Sequence, residues 1–185
     1  MTYQPALDKA WEDLADLAGA KVSAVRFLGD EYAIDIARRT VLSLSCNIPA
    51  RDYAAIVILH YLIRKRRLKI LPRPTGDWID FKELEGGEAY YPAFRKRTIE
   101  KIAAKYASRP DDLAVSTKRF FARKADVGDV SFVVQAFSEV PILIALYKAD
   151  DEFGPDANIL FDRDISGIFC TEDIVVMTEI LAHAL

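Results

Sequence analysis

The residues with the chemistry to make a site are concentrated near the C-terminal end. There, carboxylates are threaded through apolar side chains as DDEFGPDANILFDRDISGIFCTED, from Asp150 to Asp173. Within that block, Asp162, Asp164 and Ser166 fall at positions 1, 3 and 5 of a twelve-residue stretch. Gly167 takes position 6, Phe169 position 8 and Asp173 position 12. This is close to the oxygen-ligand pattern of a calcium-binding EF-hand loop, so Asp162, Asp164, Ser166 and Asp173 form a candidate divalent-cation site. Aspartate replaces the longer chelating Glu at position 12, and Gly154-Pro155 leaves little room for an incoming helix. Those departures favour a turn whose Asp side chains cap backbone amides. Asp150, Asp151 and Glu152 could supply paired carboxylates for acid–base work, although the following Gly-Pro reads as a solvated loop after a strand.

A second set could hold an anion. Gly86-Gly87 precedes a basic helix that carries Arg95 and Arg97, and adjacent glycines let backbone amides approach a phosphate or carboxylate. Trp78 and Tyr90 could line a pocket there. His60 lies in the apolar run AIVILHYLI, where a buried imidazole needs a hydrogen-bond partner. The ligand-binding candidates are therefore Trp78, Tyr90, Arg95, Arg97 and His60. The run Arg64-Lys65-Arg66-Arg67-Leu68-Lys69 reads either as cations at the negative end of a helix or as an anion surface.

These residues need elements to position them. Leu7, Ala10, Trp11, Leu14, Leu17 and Ala18 recur at helical spacing and predict an amphipathic helix over 5–18 that ends near Gly19. From Val22 the period becomes two, predicting a three-stranded antiparallel meander with turns at Gly29-Asp30 and Ala37 to Arg39. Pro49 is expected to open a helix that is apolar on nearly all sides from Ala54 to Ile63. Further helices are expected over 91–107 and 111–123, and from Thr171, whose hydroxyl is expected to cap it. VSFVVQAF and VPILIALYKA read as strands, the second as a central one. The expected fold class is α+β: a single domain over residues 1–185, mainly antiparallel sheet packed against helices.

Composition bounds the function. The 185 residues are 51% hydrophobic with formal net charge −3, enough to bury one full core. Charge is segregated: residues 1–60, 61–124 and 125–185 carry net −2, +9 and −10. The middle and last thirds are expected to neutralise each other within the fold. A pI near 5.5 and no recognised motif argue against nucleic acid. No apolar run approaches the roughly 20 residues of a membrane span, and the acidic start is unlike a signal peptide. A cytoplasmic protein without a membrane partner is expected. With only Cys46 and Cys170, and only His60 and His183, neither an intrinsic iron–sulfur cluster nor a multi-histidine centre is expected.

Taken in order, several segments resemble a bacterial and archaeal family called domain of unknown function 3786. They are His60-Tyr61-Leu62, Thr75 to Ile79 with Phe81 to Leu84, Gly86-Gly87 with Tyr90 to Phe94, Pro141-Ile142, Asp151 to Phe153 with Ile159 to Asp162, and Thr171 to Asp173. The resemblance covers nearly the whole chain. It implies a setting in anaerobes, where some members are joined to a four-cysteine iron–sulfur segment like that of corrinoid proteins. This chain lacks those cysteines, so such a role implies a partner, and the family supplies no catalytic residues to transfer. The expected function is a binding or accessory domain for a protein partner or small anionic ligand, linked to metalloprotein or corrinoid metabolism by the resemblance alone. The alternative is a carboxylate- or divalent-metal-dependent enzyme acting on a small anionic substrate.

Overall fold

The computed structural model describes residues 3–18, 23–149 and 151–185. The expected helix end at Gly19, the expected strand start at Val22 and the carboxylate of Asp150 lie outside the described residues. Helix α1 (Gln4–Ala18) turns Ala10, Trp11 and Leu14 into the core. Strands β1 (Ser23–Phe27), β2 (Asp30–Asp35) and β3 (Thr40–Ser43) pair as the expected antiparallel meander. Its first turn needs glycine twice over. Gly29 has φ +83°, and a Cβ there would stand 2.3 Å from the carbonyl oxygen of Arg119.

Helix α2 (Asp52–Leu68) is buried around most of its circumference from Ala54 to Ile63, as its composition implies. It starts later than proline chemistry suggests. Pro49 bridges Leu42, and the Ala50 amide donates to Val41 O at 2.8 Å. The chain thus stays extended beside β3 until Arg51 and only then turns helical.

Periodicity does not announce one short strand, and two expected helices depart from their expected bounds. Trp78–Asp80 is a short strand, β4, followed by a single 3-10 turn at Phe81–Glu83 in which Asp80 and Glu83 cap each other's backbone amides. The single helix expected over 91–107 is two helices, α3 (Gly87–Arg97) and α4 (Ile99–Tyr106). They break at Thr98 (φ −125°, ψ −72°), a fully buried residue whose hydroxyl donates to Phe94 O at 2.7 Å. The helix expected over 111–123 stops early. Helix α5 (Pro110–Thr117) passes into a 3-10 turn, left-handed Phe121 and the edge strand β5 (Arg123–Ala125).

Strands β6 (Val130–Phe137), β7 (Val140–Tyr147) and β8 (Asp156–Asp162) complete an antiparallel sheet in the order β4-β8-β7-β6-β5, and helix α6 (Thr171–Ala184) closes the fold. The apolar run of β7 is the middle strand, as expected. Strand β8 is concealed in the sequence by the carboxylates around it, yet Ala157, Ile159 and Phe161 alternate inward. One continuous core unites helices from both halves with both sheets, so the α+β class holds. Tyr61 of α2 stacks on Phe137 at 4.1 Å between ring centroids, and Phe137 stacks on Phe27 at 4.8 Å, which ties the central helix to both sheets. Among the described residues, no helix is long and apolar enough to cross a membrane.

The glycine pair has a structural cause. Gly86 caps α3 in the left-handed region (φ +68°), and a Cβ on Gly87 would come within 2.0 Å of Phe81 O. Gly87→Ala is therefore expected to cost about 1–3 kcal/mol by forced overpacking, read as a fall in Tm of about 2–4 °C per kcal/mol. Gly154→Ala meets no atom within 4 Å and should leave Tm unchanged in the same calorimetric comparison.

Candidate functional site

Helix α2 carries His60, Arg64 and Arg67 at i, i+4 and i+7, a spacing that puts all three on one face. That face forms one wall of an open cleft of about 740 Å³. Facing it are Asp13 of α1, Glu85 and Gly86 before α3, and the segment from Ser166 to Asp173 that leads into α6. Two ties hold the far wall in place. Arg64 Nε donates to Gly167 O at 2.7 Å, and Thr171 Oγ1 donates to Glu85 O at 2.7 Å. Thr171 was expected to cap α6; Cys170 occupies the cap position instead, and the Thr171 hydroxyl joins the starts of α3 and α6.

The centre of the cleft is a His–Asp pair. Asp173 is 7% exposed, and its carboxylate accepts from His60 Nδ1 at 2.9 and 3.0 Å. A carboxylate can only accept, so Nδ1 carries the proton and Nε2 is the ring nitrogen left for the cleft. Asp173 also accepts from the Cys170 thiol at 3.3 Å. The hydrogen bond to Asp173 raises the His60 pKa above the usual histidine range, against the opposing effect of burial, and the charges of Asp173, Asp13 and Glu172 add to the rise. Burial pushes the Cys170 thiol up, and the nearby carboxylate of Asp173 adds to that.

These shifts decide what the cleft can do. Cys170 is bonded to a carboxylate rather than to the imidazole, so it is a protonated thiol and not an activated nucleophile. His60, oriented by a buried carboxylate, can carry positive charge near neutral pH or exchange a proton with a bound group. The starts of α3 and α6 bring the positive ends of two helices to the same opening. Arg67 is half-exposed, with a long 3.6 Å ion pair to Asp13.

The other sequence candidates are placed elsewhere. Asp162 is buried and accepts from the Gly76 amide at 2.7 Å, Thr75 Oγ1 at 3.4 Å and the Asp164 amide at 3.2 Å. Residues Arg163–Gly167 close as a 3-10 turn. Asp162 thus clasps the 75–76 loop while Asp173 holds His60, and Ser166 alone of the remaining pair lines the cleft. Among the described residues, no group of three or more His, Cys, Asp or Glu side chains is disposed to hold a metal ion. Arg95 pairs with Asp156 at 3.0 Å and Arg97 with Glu179 at 3.1 Å, so the structure directs both at carboxylates outside the cleft. Trp78 packs on the outer face of the large sheet with Leu160, Val133 and Leu143, and Tyr90 is 64% exposed.

Of the ligand candidates, only His60 lies at the cleft. Arg64, Arg67 and Cys170 join it there. Their signal in the sequence is the i, i+4, i+7 spacing from His60 and the Cys-x-x-Asp spacing at Cys170.

The model of one protein family matches residues 11–184, nearly the whole chain. The chain belongs to the family described as Domain of unknown function (DUF3786). Every cleft residue from Asp13 to Asp173 falls within the DUF3786 match. No curated protein and no solved structure matches the chain.

Because the folded-state pKa of His60 is raised, the His60–Asp173 pair contributes stability in full below the unfolded histidine value of about 6.5. That contribution is lost as pH rises through the higher folded value. The Tm gap between the natural protein and His60→Gln should accordingly be widest near pH 6 and shrink at alkaline pH. In the same cleft, Asp173→Asn removes the charge that helps hold the Cys170 thiol up. Iodoacetamide labelling of Cys170, followed by peptide mass spectrometry at neutral pH, should be faster in that variant.

Proposed function

We propose that this chain is a binding domain for a small anionic ligand, held in the His60 cleft. The observation that carries the proposal is the convergence of His60, Arg64 and Arg67 from one face of α2 on the starts of α3 and α6. Asp173 fixes the imidazole and favours its charged form. Charge-assisted hydrogen bonds from imidazolium and guanidinium suit a carboxylate or phosphate oxygen, and the positive ends of two helices favour the same negative charge. Asp13, Glu85 and Glu172 around the rim would repel a highly charged polyanion and favour a small ligand. The resemblance alone adds the anaerobic setting and an accessory role in metalloprotein or corrinoid metabolism, with a protein partner supplying any cluster; the cytoplasmic setting rests on composition.

One observation favours a second reading, a proton-transferring enzyme acting on such an anion. A His–Asp pair facing a cleft is the arrangement that orients a general acid or base. Binding comes first in both readings.

The test is titration of the protein with inorganic phosphate and with succinate, followed by NMR of the His60 ring and by calorimetry. Saturable shifts of the ring signals are expected. His60→Gln should weaken binding by at least about tenfold, the worth of one charge-assisted hydrogen bond, and Arg67→Gln should weaken it in the same direction. Ring signals unmoved by either anion, or equal affinity in His60→Gln, would falsify the proposal.

A further inference from the structure

A second concavity, of about 480 Å³, lies away from the cleft, where the starts of α1 and α2 meet the outer face of α6. Val176, Ile180 and Ala184 stand at i, i+4 and i+8 on α6 and give it an apolar floor. Tyr3 and Tyr53 form aromatic walls, with ring centroids 6.2 Å apart and planes inclined at 62°. Its volume falls in the range of small-molecule sites, which are mostly apolar with a few placed polar groups.

The polar lining shows what is missing. Glu179 is neutralised by Arg97 at 3.1 Å. His183 Nδ1 bonds to Glu179 O at 2.7 Å, which leaves Nε2 to accept from the Lys101 ammonium at 2.8 Å. Arg51 differs from both. Its Nη1 donates to Tyr53 OH at 3.2 Å, and it has no carboxylate partner among the described residues. Guanidinium presents five donors in a planar fork that matches a carboxylate, and the Tyr53 hydroxyl, having accepted from Arg51, still has its own proton to donate.

We propose that this groove binds a monocarboxylate with an aromatic or short aliphatic body. The body lies on Val176, Ile180 and Ala184 beside the contacting pair of tyrosine rings, and the carboxylate is held by Arg51 and the Tyr53 hydroxyl. The site is separate from the His60 cleft, with which it shares no lining residue.

Three probes separate the parts of the proposal. Phenylacetate carries both body and charge, phenylacetamide the body alone, and acetate the charge alone. Binding is read from the methyl NMR signals of Val176 and Ile180. Phenylacetate should shift them saturably, and phenylacetamide and acetate should each bind at least about tenfold more weakly. Arg51→Gln should reduce phenylacetate to the level of the amide. That variant changes an exposed side chain that makes no helix-capping bond, and an unchanged Tm confirms that it folds. His60→Gln should leave phenylacetate binding as it was. The proposal is overturned if phenylacetate does not move these methyls, if the amide binds equally well, if Arg51→Gln has no effect, or if His60→Gln rather than Arg51→Gln abolishes the response.

Discussion

The structure depends on the burial of α2. From Ala54 to Ile63 this helix has almost no face for water, so the meander, the five-stranded sheet, α1 and α6 must cover it. Aromatic contact supplies part of that cover. Phe27, Phe137 and Tyr61 form a continuous stack, and such ring pairs add about 0.5–1.5 kcal/mol each beyond the apolar area they bury. The Tyr61 hydroxyl cannot be left unmatched inside such a layer. It donates to Glu139, and Lys65 approaches both groups from the same helix. The only histidine of this helix meets the same requirement through Asp173. The cleft is thus a product of the core: the charged edge of α2 opens where the covering layers stop.

The segregation of charge along the chain is resolved by the same packing. Lys65 pairs with Glu139, Arg95 with Asp156 and Arg97 with Glu179, each joining the basic middle third to the acidic last third. Half-exposed pairs of this kind are each worth little, about 0–1 kcal/mol. Their effect is to cancel two strong fields that would otherwise face each other across α3, α6 and β8. A block dense in carboxylates consequently becomes a strand, a turn and a helix start, with each part matched to a specific donor.

Much of the fold was legible because it follows from periodicity. The period-two meander, the all-round apolar run of α2 and the apolar β7 each state their environment directly. What was illegible depends on contacts between distant segments. The break at Thr98 has no proline or glycine to announce it; it rests on a fully buried threonine bonding back to Phe94. Strand β8 was hidden because its end residues, Asp156 and Asp162, serve as acceptors for Arg95 and the Gly76 amide rather than as a solvated loop. The site was legible only at His60. Its need for a partner could be read from the apolar run, but Asp173 lies 113 positions away, and the calcium-loop spacing pointed that carboxylate at Asp162 instead. The basic run at 64–69 satisfied helix-end electrostatics so well that the face shared by Arg64, Arg67 and His60 went unseen.

The two ties that hold the far wall of the cleft have a thermodynamic consequence. Arg64 anchors Gly167 and Thr171 anchors Glu85, so the segment that carries Cys170 is fastened at both ends before anything binds. A cleft with walls already in place requires little ordering of loops and side chains on association, and that ordering commonly offsets much of the contact energy. A small ligand that makes few contacts would then lose less of its contact energy to ordering than at a mobile site.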